Sequence, residues 1–309
     1  MPDRPRTATL RATHAGPIAA RAVRDGARGR VHSVFERSAY LGIRDQLICL
    51  GPPALGNGPL NLLCEPWQCG GTRRAGLRVN DAVHTDRQLL HVGRGLIVSL
   101  AGVEVWNPRP IGDWDQHRLD LGLAALAEVL PKASFEHGLT PLLHASGECL
   151  DDQSPVVLAA RAAAEELARL VAKAVAGRPY EVDVEPIASL IGLGPGLTPS
   201  GDDFLGGALV ALALLGQNAL RASLWQAVRP LLPTLSNDIS NAHLAAAATG
   251  LGGCALHDLL DAVIAGQVES IPGHVRAVAG IGHTSGLDAL AGAGNVLRAV
   301  AQTHRSTDA

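Results

Sequence analysis

Aromatic side chains are scarce in this chain, at 3% of 309 residues, so a surface built to stack unpaired nucleobases would have almost nothing to be made from. Positive charge is not in excess either. Lys and Arg number 26 against 29 Asp and Glu, a formal net charge of −3, which offers no attracting field for nucleic acid. Cysteine is limited to Cys49, Cys64, Cys69, Cys149 and Cys254, an odd number with no CxxC pair. That pattern argues against a disulfide framework and a zinc site, and fits a reducing cytoplasm. No apolar run approaches the roughly 20 residues of a membrane helix; the longest is Phe204 to Gly216. Residues 1–30 are rich in Arg and Ala and poor in acids, without the apolar region or cleavage pattern of a secretory signal, and read as a frayed basic leader.

The remaining composition, 47% hydrophobic and 18% charged, is that of a folded protein large enough for two lobes. Two textures divide it. From Val31 to about Pro110, short apolar runs (Val31–Arg37, Tyr40–Ile43, Gln46–Leu50, Leu60–Leu63, Gln88–Val92, Leu96–Leu100 and Val103–Trp106) are separated by Gly51-Pro52-Pro53, Gly56-Asn57-Gly58-Pro59 and Gly70-Gly71. Short strands at turn-rich spacing predict a small barrel or sandwich. After Trp114 the period becomes helical, with Leu119, Leu123, Leu126 and Leu130 ahead of Pro131. A long helix is expected from Pro155 to Ala176, opened by Ser154, stopped at Gly177 and carrying a Glu165–Arg169 pair. Further helices are expected at 204–215, 220–229, 239–249, 256–265, 275–280 and 288–301. The expected fold is α+β: a β-rich barrel-like or sandwich-like lobe over 31–112, then an all-helical lobe over 113–309.

Within the helical lobe one stretch combines glycines, hydroxyls and carboxylates: Gly192-Leu193-Gly194-Pro195-Gly196-Leu197-Thr198-Pro199-Ser200-Gly201-Asp202-Asp203. It runs straight into the apolar segment from Phe204. Ser200 followed by Asp203 has capping-box spacing, so a helix should start there with its positive end facing the loop. A capped buried helix explains part of this; the density of glycines and polar groups exceeds what capping needs and points to a ligand. Carboxylates beside an anion repel it unless a divalent cation or a base intervenes. A P-loop is excluded, since no Gly-Lys-Ser/Thr follows and no parallel sheet precedes. The same helix-start chemistry recurs at Gly280-Ile281-Gly282-His283-Thr284-Ser285-Gly286-Leu287-Asp288. If the two starts converge, their amides and hydroxyls would define a pocket for a small oxyanion. A third polar stretch, Ser236 to His243, is expected mainly to cap a helix through Asn237 or Asp238. Arg73-Arg74 read as surface.

Together these segments resemble the AllH-type family, long known as a domain of unknown function and assigned as a subunit of oxamate carbamoyltransferase. The specific part is Gly194-Pro195-Gly196-Leu197-Thr198-Pro199-Ser200-Gly201-Asp202-Asp203-Phe204-Leu205, with Gly282-His283-Thr284-Ser285-Gly286 as the second mark. The middle segment departs from the expected Thr-rich form, having Ser236-Asn237-Asp238 before Ile239-Ser240. The resemblance implies transfer of a carbamoyl group between oxalurate and phosphate, giving oxamate and carbamoyl phosphate, in allantoin and purine catabolism. It also implies partner subunits, with neither nucleic acid nor membrane involved. On that footing we expect Gly194, Gly196, Thr198, Ser200, Gly201, Thr284, Ser285 and Gly286 to bind the oxyanion, and Asp202, Asp203 and His283 to be catalytic. Magnesium is the cofactor to consider, with Asp202, Asp203 and Asp288 as ligands. Two other readings stay open: a non-catalytic anion-binding or assembly subunit, and a stand-alone metal-dependent hydrolase.

Overall fold

A computed structural model describes residues 8–67, 76–112, 114–130, 138–143 and 154–307. Cys69, Cys149, Gly70-Gly71, Arg73-Arg74 and Pro131 lie outside them. The chain divides into two compact units, Met1–Pro108 and Arg109–Ala309.

The first unit is a β-barrel. Its strands are β1 (Ala8–Ala15), β2 (Arg28–Val34), β3 (Ala39–Ile43), β4 (Gln46–Gly51), β5 (Asn61–Glu65), β6 (Ala82–Asp86), β7 (Leu89–Val92), β8 (Leu96–Ser99) and β9 (Glu104–Val105), with α1 (Pro17–Ala22) between the first two. The order β5-β4-β3-β2-β6-β7-β8-β1 closes on itself through an antiparallel β1–β5 pairing, and β9 adds to β1 outside the ring. Eight strands leave an interior just wide enough for side chains. Val31, Leu41, Ile43, Ile48, Leu50, Leu62, Leu90 and Val98 fill it, all fully buried. Closure removes sheet edges, and here the closing strand is β1, parallel to β8 on one side and antiparallel to β5 on the other. From residue 8 onward, therefore, the expected leader is part of the barrel: its apolar positions Ala12 and Ala15 are buried although its composition is basic. The β6–β7 turn is Arg87-Gln88, both at positive φ (46° and 66°), a type I′ hairpin made without the usual Asn-Gly.

The second unit is helical: α2 (Gln116–Val129), α3 (Pro155–Val175), α4 (Val184–Ala188), α5 (Ser200–Leu214), α6 (Asn218–Val228), α7 (Leu232–Leu235), α8 (Asp238–Ala248), α9 (Cys254–Ile264), α10 (Ile271–Ala279) and α11 (Ser285–Thr307). α3 begins on Ser154 and Pro155 as its sequence requires, but Arg169 pairs with Glu166 at 2.6 Å, three residues back, in place of Glu165. α5 is buried nearly all round, which its apolar sequence demands, and crosses α11 at backbone contact. A Cβ on Gly207 would stand 1.8 Å from the Ala289 carbonyl oxygen, and one on Gly292 would stand 1.8 Å from that of Phe204. The two glycines occupy the same position after Ser-Gly-x-Asp in their helices, and each contacts the other helix at the residue that follows the Asp of that motif. The crossing is thus reciprocal. Among the described residues no helix is long and apolar enough to cross a membrane.

Candidate functional site

The reciprocal crossing brings the two helix starts together. Thr198 Oγ1 and Ser285 Oγ are hydrogen-bonded at 3.0 Å, joining the loop before α5 to the first residue of α11. Convergence of the two starts, expected from the repeated Ser-Gly-x-Asp, is realised at hydrogen-bond distance. Each helix then offers the other its acid. The hydroxyls of Ser285 and Thr198 act on Asp203, and those of Ser200 and Thr284 act on Asp288. α5 starts one residue earlier than a Ser200 cap implies: Pro199 is the N-cap, and Ser200, buried, is the first helical residue.

The acids divide by their surroundings. Asp202 is buried with both oxygens occupied: Oδ1 accepts from the Gly192 amide at 2.8 Å, and Oδ2 accepts from Ser240 Oγ at 2.6 Å and from Ser236 Oγ. It faces the protein. Asp203 differs from it, because its Oδ2, like that of Asp288, is buried without a hydrogen-bond partner among the described residues. Burial drives its pKa well above the usual carboxylate range; the Ser285 and Thr198 hydroxyls oppose this, and the charges of Asp288 and Asp202 add to it. Asp288, fully buried, takes the Leu139 amide on Oδ1 at 2.5 Å, and burial raises its pKa against that bond. His283 stands exposed on the rim after Gly282.

The expected anion-binding residues are placed unequally. Gly194 and Gly196 have φ of 100° and 110°, a backbone path open to glycine alone, and their amides make no backbone hydrogen bond among the described residues. Thr198, Thr284 and Ser285 are half-buried at the joint. Gly201 and Gly286 turn inward: their amides donate to the carbonyls of Leu193 (2.9 Å) and Ile281 (3.2 Å), so neither amide is left for a ligand. For the metal expectation, among the described residues no group of three or more His, Cys, Asp or Glu is placed to hold an ion. Asp202 would have to surrender its three donors to serve as a ligand.

Four contributors were not foreseen as part of this arrangement. Ser236 and Ser240 bond Asp202, and Asn237 both caps α8, accepting from the Ile239 and Ser240 amides, and donates from Nδ2 to the Leu197 carbonyl at 3.0 Å. Their signal in the sequence was the surplus of Ser, Asn and Asp over what one cap needs. The Leu139 amide carried no signal at all.

Residues 190–297 match the family model described as oxamate carbamoyltransferase subunit AllH, and residues 11–105 match that of the AllH family N-terminal domain. The first covers both helix starts and the Ser236–Ser240 segment; the second covers most of the barrel. No curated protein and no solved structure matches the chain.

Proposed function

Because the chain belongs to the AllH family, whose name designates a subunit of oxamate carbamoyltransferase and so implies other subunits, we propose that its paired helix starts hold the oxyanions of carbamoyl transfer. The observation that carries this is the Thr198–Ser285 hydrogen bond, which sets two helix N-termini side by side. Each terminus contributes a partial positive charge, and the loop before α5 adds amides that make no backbone hydrogen bond among the described residues, an environment suited to phosphate or carboxylate. The Gly194 and Gly196 amides and the Thr198 and Thr284 hydroxyls are the donors, with Ser285 completing the set. The carboxylate beside an anion is less of a difficulty than its charge suggests, because the buried surroundings of Asp203 raise its pKa and disfavour the repelling form.

The reaction is the attack of a phosphate oxygen on the carbamoyl carbon of oxalurate. A C–O bond forms, the C–N bond to the oxamate nitrogen breaks, and that nitrogen takes the proton released by phosphate. Donors at the helix starts stabilise the charge on the tetrahedral carbon's oxygen, and His283 on the rim supplies or receives the proton. We place this chemistry in the cytoplasm, as part of allantoin breakdown. One observation favours a second reading, in which the chain holds the anion and a partner subunit does the chemistry: Asp202 is tied into the fold through both oxygens and Asp288 through Oδ1, with its Oδ2 buried, leaving His283 as the exposed titratable group of the two loops. The test is an oxalurate and phosphate assay of the reconstituted complex. Thr198→Ala and His283→Ala should both lower kcat; full turnover by both variants would refute the proposal, and loss only with Thr198→Ala would select the second reading.

A further inference from the structure

Ser236, Asn237 and Ser240 lie about 40 residues from the glycine loop in sequence, yet their hydrogen bonds end on it. Ser236 and Ser240 hold one oxygen of Asp202, whose other oxygen holds the Gly192 amide at the loop's beginning. Asn237 Nδ2 holds the Leu197 carbonyl near the loop's end. The backbone itself is in contact at the same place: a Cβ on Gly192 would lie 2.1 Å from the Leu235 carbonyl oxygen, and Gly192 sits at φ 74°. The loop is therefore fixed at both ends by one short segment, while the stretch between, Pro195 to Leu197, stays exposed.

We infer that Ser236, Asn237 and Ser240 are positioning residues that set the path of the Gly192–Thr198 loop, acting through Asp202 and the Leu197 carbonyl. The inference rests on reading that loop as the anion-holding element. Loop amides left to wander would lose the fixed orientation on which binding an oxyanion depends, because preorganised donors need no rearrangement when the ligand arrives. The same geometry gives Asp202 a reason to be buried: the two oxygens of a carboxyl side chain gather two hydroxyls and an amide at one point.

Asn237→Asp separates positioning from capping, since the aspartate still accepts from the Ile239 and Ser240 amides but cannot donate to Leu197. Ser240→Ala removes one donor to Asp202, and Ser240→Thr restores a hydroxyl. In hydrogen exchange on the full chain, Asn237→Asp and Ser240→Ala should speed exchange about tenfold at the hydrogen-bonded amides that flank the loop, Gly192 (to Asp202 Oδ1) and Gly201 (to the Leu193 carbonyl), with α8 still protected and Ser240→Thr close to wild type. Inorganic phosphate binding should weaken in the same order. Unchanged loop exchange in both Asn237→Asp and Ser240→Ala overturns the inference. If loop exchange responds as expected but phosphate binds none of the proteins, the positioning stands and the anion-holding function falls.

Discussion

At the scale of single residues, the two carboxylates of the Asp202-Asp203 pair are adjacent in sequence and opposite in circumstance. One is saturated with donors and the other keeps a buried oxygen without one. Thr198 bridges the helix starts, so Thr198→Ala should lower turnover of the reconstituted complex by about 10²-fold, the usual consequence of losing one oxyanion donor, with little change in stability. Steady-state kinetics beside a thermal melt checks both halves. pH dependence is clearest at His257, buried in α9, whose Nε2 accepts from the Gly252 amide at 3.0 Å. Burial lowers its pKa to about 4, against the nearby Asp258 carboxylate, which raises it. A depressed folded pKa means that its contribution is intact above the unfolded value near 6.5 and is lost as pH falls toward 4, a change of roughly 3 kcal/mol at most. His257→Gln keeps an acceptor for Gly252 and should flatten the acid side of a stability-against-pH curve. A curve of unchanged slope would show that the acid sensitivity lies elsewhere.

At the scale of elements, the crossing of α5 and α11 sets the site's geometry, and glycine permits it. Gly207→Ala or Gly292→Ala puts a methyl 1.8 Å from a carbonyl oxygen of the other helix, so the pair must separate. Destabilisation of about 2–4 kcal/mol is expected in denaturant titration. Gly206→Ala is the control: its nearest neighbours would be 3.9 Å away, and it should be neutral or stabilising by about 1 kcal/mol, as helix propensity favours alanine. Equal losses at all three positions would show that close approach is not the cause. The elements themselves were largely legible. Every helix of eight or more residues in the second unit was expected, most of them within about four positions, although α11 runs six residues past its expected end at Ala301; apolar periodicity and caps such as Ser154 and Asn237 are local signals. β6 was not expected, since Ala82-Val83-His84-Thr85-Asp86 buries only Val83 and Thr85, and Arg87-Gln88 gives no hairpin signal. Replacing that pair by Asn-Gly should stabilise the barrel by about 1 kcal/mol, read as a shift in denaturant midpoint.

At the scale of the whole molecule, the barrel depends on its first strand. β1 pairs with β8 and β5, and removing residues 1–15 would leave both with unsatisfied edges. The truncated chain should elute as aggregate in size-exclusion chromatography; a soluble monomer would mean that closure is dispensable. The sequence by itself determined the change from strand to helix texture near residue 110, the two helix starts with their shared chemistry, and the resemblance those motifs carry. These are patterns held within a dozen neighbouring residues. Tertiary structure alone decided that β1 closes a ring with strands far along the chain, that Thr198 meets Ser285, and that Asp202 faces Ser236 and Ser240 while Asp203 faces the joint. Such pairings follow from which surfaces pack together. On α5, adjacent residues point about 100° apart, so two neighbouring aspartates enter different surroundings that no local pattern distinguishes.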